Sequence, residues 1–341
     1  KKRPEKHLAA DFEEFTAGAR ALGRDDDAIA RVWENILSFA GYSFCKGHSC
    51  SYIEVAQQSC YLRANHPAEF IAAVLANGGG FYRPFVYVAE AMRMGVRVLP
   101  PDVNRSEWCC LGGKRRLRIG FQFVKGLAAD AAERIVRERR AAGPYRSLAD
   151  LRCRTALPTD ELRLLIKVGA CDAIAGALNR PQMLWMIDTT AAKTPLPLAA
   201  APRIPPLRDY SADRKRRDAQ ALLGFCTDVH PMTLHADVLA HLAVVKSTEL
   251  HQHVGRYVIA AGMYATGKPV QTAAHEPMQF ATFDDGHGLI EAVIFPDVYA
   301  ARSHILFDQG PFVLRGMVEE SYGAITITVT HLERLAALAG R

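Results

Sequence analysis

Apolar residues recur at helical spacing through the first hundred residues of the chain. Asp25-Asp26-Asp27 predicts an N-cap and an acidic first turn for a helix whose apolar face runs from Ile29 to Leu37. Pro67 is suited to the first turn of a helix that Gly78-Gly79-Gly80 ends, and Pro84 begins another. This part of the chain is therefore predicted to be helical.

The pattern becomes mixed between residues 96 and 170. We predict short strands at residues 96–99 and 114–123 and an arginine-rich helix over 127–141. Two further short helices are predicted to begin at Ser147 and Thr159, both of which are good N-caps.

A proline- and alanine-rich segment at residues 195–206 predicts a semi-rigid linker, followed by short helices at 212–222 and 231–241. Beyond residue 254 apolar and polar residues alternate as in strands. A short helix is predicted near 297–306, between the third and fourth strands, which is typical of an OB-type barrel. The five predicted strands are Tyr257–Met263, Met278–Phe283, Leu289–Phe295, Phe312–Val318 and Ala324–Val329.

Composition and charge narrow the class of protein. Hydrophobic residues make up 49% and charged residues 23% of the 341 residues, which favours a globular, multidomain chain over a disordered one. No apolar run is long enough for a membrane helix, and the first residues predict no secretory signal. The eight cysteines are too scattered for a secreted disulfide framework, so we expect reduced thiols and a cytoplasmic protein. The net charge is +6, yet residues 250–341 carry −3. A polyanionic partner is therefore expected to bind the earlier part of the chain.

An unusual polar stretch at residues 42–52 is the first candidate for chemistry. A helix is predicted to resume near His48, and helix N-termini bind phosphate, so Lys46 and His48 are candidate phosphate ligands. The alternative is a polar turn between helices, with Tyr42 and Phe44 in the core. Cys45, His48 and Cys50 also suggest a zinc knuckle, but no second knuckle follows, and we predict no metal site.

Two glycine turns are the second candidate. Each turn is predicted to join two short helices and to offer backbone N–H groups to a DNA phosphate. The first turn contains Lys125-Gly126, and the second contains Lys167-Val168-Gly169. The alternative is that each glycine only ends a helix. Basic residues surround the turns, and the alternative for them is a solvated charged face. These residues are Lys114, Arg115, Arg116, Arg118, Arg137, Arg139 and Arg140.

The predicted barrel supplies candidates for single-stranded DNA, because OB folds bind single strands through aromatic and basic residues. The alternative is a barrel kept for packing or protein contacts. The candidates are Tyr257, Tyr264, Lys268, Phe280, Phe283 and Arg315. No clustered carboxylates for two-metal catalysis, no phosphate-binding glycine loop and no hydrolase motif are found in the sequence. We therefore predict no catalytic residue in this chain.

Taken together in order, the motifs resemble those of the bacterial DNA polymerase III alpha subunit, the C-family of DNA polymerases. Residues 39–49 (Phe-Ala-Gly-Tyr-Ser-Phe-Cys-Lys-Gly-His-Ser) are similar to the family's fingers signature, with Cys45 and Gly47 in place of Asn and Ser. Residues 66–70, 99–106 and 143–148 continue the resemblance. Residues 165–172 resemble its helix-hairpin-helix domain, and residues 278–285 and 290–296 its OB strands.

The resemblance implies a multidomain α+β fold with four parts. These are the C-terminal part of the fingers at 1–108, a helix-hairpin-helix domain at 109–178, a linker with short helices at 179–250 and an OB fold at 251–337. It further implies that Tyr42, Lys46 and His48 contact the incoming nucleotide, where a fixed cation stabilises phosphoryl charge. The family's palm, whose aspartates bind Mg²⁺, is expected to precede residue 1.

The function implied is template-directed DNA synthesis in replication, repair or translesion synthesis by the complete enzyme, with this portion alone inactive. Its partners are then primer–template DNA, a deoxynucleoside triphosphate and other replisome or mutasome proteins. Residues 196–199 (Leu-Pro-Leu-Ala) lack the aromatic anchor of a sliding-clamp motif. The alternative function is a non-enzymatic helix-hairpin-helix and OB module that holds DNA.

Overall fold

The computed structural model describes residues 5–38, 46–190, 204–308 and 310–338. The chain divides into two compact units, Lys1–Tyr61 and Leu62–Arg341. The helices are α1 (Glu5–Ala21), α2 (Asp26–Ser38), α3 (Lys46–Asn65), α4 (Pro67–Ala76), α5 (Pro84–Arg93), α6 (Ala129–Ala142), α7 (Leu148–Thr155), α8 (Thr159–Lys167), α9 (Arg180–Thr190), α10 (Ala212–Leu223), α11 (Ala236–Leu239) and α12 (Pro296–Arg302). The strands are β1 (Arg97–Leu99), β2 (Leu111–Gly113), β3 (Arg116–Arg118), β4 (Tyr257–Gln271), β5 (Pro277–Asp284), β6 (Leu289–Ile294), β7 (Phe312–Ser321) and β8 (Ala324–Arg334).

The described residues of the first unit are mainly helical, as predicted. Asp25 caps α2, because its carboxylate accepts a hydrogen bond of 2.7 Å from the backbone N–H of Ala28. Phe12 and Phe15 of α1 pack on Trp33 of α2, with ring centroids 5.0 and 5.5 Å apart. The predicted N-cap and helix are thus confirmed, although Val32, Ile36 and Leu37 of the predicted apolar face are exposed.

The second unit begins with helices packed on a small three-stranded sheet. Its strand order is β1-β3-β2, with β1 parallel and β2 antiparallel to β3. The strand predicted over 114–123 was wrong in extent: Lys114 and Arg115 form a turn, β3 spans three residues, and a 3₁₀ helix occupies Phe121–Phe123. Ser147 caps α7 as predicted, but Pro158 rather than Thr159 is the N-cap of α8.

The five C-terminal strands form a closed barrel in the order β4-β5-β6-β8-β7. All pairs are antiparallel except β6 with β8, and α12 lies between the third and fourth strands of the barrel along the chain. This is the five-stranded arrangement of an OB fold, so the predicted α+β class and barrel are confirmed. Alternation placed all five strands, although β4 and β8 run longer than predicted.

An ion pair between a partly exposed arginine and a buried carboxylate joins the helical part of the second unit to the barrel. Arg93 at the end of α5 contacts both carboxylate oxygens of Asp284 at 3.2 and 3.3 Å, and Asp284 is completely buried at the end of β5. Gly286 donates its backbone N–H to the same carboxylate at 2.9 Å. These contacts fix the barrel against α5.

Candidate nucleic-acid interface

The three residues expected to contact a nucleotide lie near the start of α3. Tyr42 lies outside the described residues, and the side chain of Lys46 is likewise outside them. His48 lies in the first turn of α3 and is exposed, with its ring edge-on to Tyr52 at 4.9 Å. The first turn of α3 carries no acidic residue that would repel a phosphate.

The small sheet carries an exposed basic hairpin tip. Lys114 and Arg115 connect β2 to β3 with φ of +50° and +57°, the left-handed conformation that two-residue hairpins require. Such turns favour Asn-Gly, and left-handed backbone costs roughly 1–2 kcal/mol for other residues. The turn therefore displays two cations in a backbone conformation that neither residue favours.

Neighbouring arginines extend the basic tip into a patch. Arg116 is exposed and lies directly opposite exposed Arg97 across the parallel pair of β1 and β3. Like charges placed opposite each other destabilise a sheet in the absence of an anion. Arg115 donates a hydrogen bond to the carbonyl of Met94, which holds that side chain over the edge of the sheet. Arg97 was missed in the sequence because only the strand pairing brings it beside Arg116.

The position of this hairpin depends on Gly112. A side-chain carbon at Gly112 would lie 2.3 Å from the carbonyl oxygen of Ala68 and 2.5 Å from the Cα of Glu69 in α4. Only glycine therefore lets β2 approach α4 this closely.

The first glycine turn places an exposed glycine beside an exposed lysine. Gly126 has φ of +86° and is exposed beside exposed Lys125. Among the described residues, no acceptor is found for the Gly126 N–H, and no side chain caps the N-terminus of α6. Glu161 approaches the Ala128 N–H only at a long 3.4 Å.

The second glycine turn is a helix C-cap, which corrects the expectation for Lys167 and Gly169. Gly169 is buried, and its N–H donates to the carbonyl of Ile166, while Ala170 donates to Leu165. This pair of bonds is a Schellman motif. Lys167 is half-buried, and its carbonyl accepts from Arg180 at 2.9 Å. The turn therefore offers no free N–H to a phosphate.

Some of the remaining basic residues have structural roles. Arg139 donates to the carbonyls of Val103 and Ser106 and pairs with Glu107 at 2.6 Å. Arg118 donates to the carbonyl of Pro100 at 2.8 Å. These two guanidiniums are turned inward, so they do not belong to a DNA-binding face.

The barrel candidates separate into exposed and buried residues. Lys268 and Phe280 are exposed and lie directly opposite each other on β4 and β5. Tyr257 is also exposed, at the other end of β4, and its hydroxyl hydrogen-bonds to Thr330. Phe283 is completely buried in the barrel core between Tyr264 and Phe312, so it cannot stack on a base.

The described residues lack the side-chain clusters typical of metal sites and the long apolar helices that span membranes. The described part of the chain contains no group of three or more His, Cys, Asp or Glu side chains that could hold a metal ion. Burial raises the pKa of Cys110 to about 11 and that of Cys226 to about 12, so both thiols stay protonated. Among the described helices, none has the length and apolarity needed to cross a bilayer.

Comparison with known proteins shows a matching motif and several similar proteins. A family model described as a helix-hairpin-helix motif matches residues 95–183. An error-prone DNA polymerase of Corynebacterium efficiens is 31% identical over 98% of this chain, and a DNA polymerase III subunit alpha of Saccharopolyspora erythraea is 29% identical over 96%. The chain is similar to error-prone DNA polymerases and to DNA polymerase III alpha subunits.

The similarity to these polymerases extends over nearly the whole of this chain but over only part of the length of each polymerase. The chain spans about 30% of the length of the relatives that it matches. An error-prone DNA polymerase of Mycolicibacterium paratuberculosis shows the same extent, at 30% identity over 96% of this chain. A solved structure, that of OBody AM1L10 bound to hen egg-white lysozyme, covers 25% of this chain at 18% identity, with a TM-score of 0.20.

Proposed function

We propose that this chain is the DNA-holding part of a template-directed DNA polymerase that transfers deoxynucleotides to a primer 3′ end. The observation that carries the proposal is the similarity to error-prone polymerases and polymerase III alpha subunits over 96–98% of the chain. The helix-hairpin-helix match and the exposed basic tip beside it support the DNA-binding part.

Two elements are proposed to bind the phosphates of duplex DNA. The hairpin tip provides Lys114, Arg115 and Arg116, and the first glycine turn provides Lys125 and the Gly126 N–H. Contacts of this kind fix the position of a duplex without reading its sequence. A polymerase must move along every template, so contacts that ignore sequence suit this function.

The nucleotide contacts are proposed at the start of α3. Lys46 and His48 would hold the triphosphate of the incoming nucleotide, with Tyr42 beside it, and stabilise charge that develops on the phosphoryl oxygens. The described residues contain no carboxylate cluster that fits a metal ion. We therefore assign no metal-dependent step to this chain, and propose that Mg²⁺ ligands belong to another part of the complete enzyme.

The partners proposed are primer–template DNA and a deoxynucleoside triphosphate. Residues 196–199, which lack the aromatic anchor of a sliding-clamp motif, lie outside the described residues, and no clamp contact is proposed. The exposed Lys268 and Phe280 remain proposed contacts for single-stranded DNA, and Tyr257 is retained with them.

The proposal is tested by measuring the affinity of the chain for a fluorescent primer–template across salt concentrations. Neutralising about four phosphates gives a slope near −3.6 for log affinity against log salt. The double variant Lys114→Gln/Arg116→Gln removes two contacts and is expected to reduce the slope by about 1.8.

The matched control is Arg208→Gln/Arg256→Gln, which removes the same charge from two exposed positions elsewhere in the second unit. It is expected to leave the slope unchanged. A salt-independent affinity, or an equal change in both double variants, would contradict the proposed duplex contact.

A further inference from the structure

A cavity of about 470 Å³ opens between the barrel and the chain that leads into it. One wall is the 3₁₀ helix at Pro231–His235 together with α11, the second is the segment at 242–246, and the third is the turn between β5 and β6. Ala261 of β4 also lines the cavity and is buried. Ligand pockets in proteins span roughly 300–1,000 Å³, so this cavity has the size of a binding site.

Two contacts hold the second wall in place. The Val245 N–H donates to the carbonyl of Ile259 at 2.8 Å, which ties this wall to β4. The Asp285 carboxylate accepts hydrogen bonds from the backbone N–H and the hydroxyl of Ser247, at 2.7 and 2.9 Å, which tie it to the turn between β5 and β6. The walls are therefore positioned by contacts within the chain.

The lining of the cavity is mainly aliphatic. Met232 is buried, Leu239, Leu242 and Val244 are half-buried, and all four line the cavity. The described residues that line it include no Phe, Tyr or Trp, which are the side chains on which nucleic-acid bases stack. The lining therefore favours an aliphatic group over a base.

The rim of the cavity carries a cation. Lys246 is exposed there, and no carboxylate in the described part of the chain pairs with its amine. Asp285 also lines the cavity, but its carboxylate is occupied by the two bonds from Ser247 and by the backbone N–H groups of His287 and Gly288, both at 2.8 Å. The charge that the rim offers to an occupant is therefore positive, and its complement is an acidic group.

We propose that this cavity binds a segment of a partner protein that inserts one aliphatic side chain, with an acidic residue beside it. The aliphatic side chain packs against Leu239, Leu242 and Val244, and the carboxylate pairs with Lys246. Protein interfaces are centred on apolar anchors that fill pockets, with polar groups at the rim. The contact goes beyond the proposed function, because it involves neither a DNA phosphate nor a nucleotide.

The test selects binders from a phage-displayed library of random peptides, with the wild-type chain as bait. Peptides that carry Leu, Ile or Met next to Asp or Glu are expected to be enriched. The most enriched peptide is synthesised with a fluorescent label, and its affinity is measured by fluorescence polarisation. Replacement of its aliphatic residue by alanine is expected to weaken binding about 10- to 150-fold, the range for the burial of one such side chain.

Two variants of the chain address the two parts of the site. Ala240→Trp places a large ring at an exposed position of the cavity wall, and is expected to weaken peptide binding at least about 10-fold because it excludes the anchor. Lys246→Glu is expected to weaken binding about 2- to 5-fold, the effect of losing an exposed ion pair. The matched controls are Ala300→Trp in α12 and Arg256→Glu, both at exposed positions outside the cavity, and they should bind like the wild type.

No enrichment, enrichment of basic or aromatic sequences, or equal affinities of the cavity variants and their controls would overturn the proposal. Lys246→Glu keeps the test decisive if circular dichroism shows that Ala240→Trp does not fold, because it changes an exposed side chain. Peptide binding is measured without DNA, so failure here is distinguishable from failure of the duplex contact.

Discussion

At the scale of single residues, His230 shows how burial fixes a protonation state. Its Nδ1 accepts a hydrogen bond of 3.2 Å from the backbone N–H of Met232, so Nδ1 carries no proton. Its Nε2 lies 3.4 Å from Asp284, without the alignment of a hydrogen bond. Protonation of the ring at Nδ1 would break the bond that caps the following 3₁₀ helix.

Burial lowers the pKa of His230, and the charge of Arg93 and the nearby His287 act in the same direction. The carboxylates of Asp284 and Asp285 oppose this shift, but burial outweighs them. The unfolded chain therefore binds a proton below about pH 6.5 that the folded protein takes up less readily. Acid consequently favours the unfolded state.

We expect the free energy of unfolding to fall between pH 7 and pH 5, with this residue contributing at most about 1.4 kcal/mol per pH unit. His230→Asn keeps an acceptor for the Met232 N–H but does not titrate, so its stability should depend less on pH. Burial also lowers the pKa of His235, which keeps titrating in the variant. Urea denaturation at pH 7, 6 and 5 measures the difference, and identical pH slopes would rule out this role for His230.

At the scale of elements, two turns that each contain a lysine and a left-handed glycine differ in what surrounds them. Gly126 and Gly169 have φ of +86° and +85°. A side-chain carbon at Gly126 would meet only the tip of Leu164, at 3.1 Å, whereas one at Gly169 would lie 2.3 Å from the Arg180 guanidinium. That guanidinium binds the Asp172 carboxylate and the Lys167 carbonyl.

We expect Gly169→Ala to destabilise the protein more than Gly126→Ala does. Both substitutions incur about 1–2 kcal/mol for the left-handed backbone, and Gly169→Ala also disturbs charged hydrogen bonds, each worth about 1.5–3 kcal/mol. The affinity for duplex DNA should fall in Gly126→Ala and stay unchanged in Gly169→Ala, because only the first turn is proposed to contact DNA. Chemical denaturation and DNA titration of both variants provide the check, and equal DNA affinities would argue against the Gly126 contact.

Sequence predicted these elements well where one strong local signal decides them. The alternation of apolar and polar residues predicted the positions of the five barrel strands. The N-cap residues Asp25 and Ser147 predicted where α2 and α7 begin. The tip at Lys114 and Arg115 was missed because neither residue is a turn former, and its left-handed backbone is imposed by strand pairing. The pairing of Arg97 with Arg116 was beyond sequence reasoning, since the two residues meet only after β1 and β3 have paired.

At the scale of the whole second unit, the pair of Arg93 and Asp284 joins helix to barrel. Glu90 contacts Arg93 at 2.9 Å and also pairs with Arg63, so a chain of alternating charges leads from the surface to the buried carboxylate. The sequence separation of Arg93 and Asp284 is 191 residues, which no local pattern reveals.

Arg93→Met is expected to destabilise the second unit by about 3–5 kcal/mol, because it leaves a carboxylate buried without its cation. Arg256→Met removes an exposed arginine from the same unit, and should change stability by less than about 0.5 kcal/mol. Guanidinium denaturation followed by circular dichroism measures both. Equal stabilities of the two variants would show that the ion pair does not hold the barrel in place.

The position of β8 between β6 and β7 also governs the order of events during synthesis. Until residues 324–334 have left the ribosome, the nascent sheet can only have the order β6-β5-β4-β7, with open edges at β6 and β7. Open edges are the sites at which strands of different molecules pair. A chain that lacks residues 324–334 is therefore expected to aggregate more readily than one whose barrel has closed.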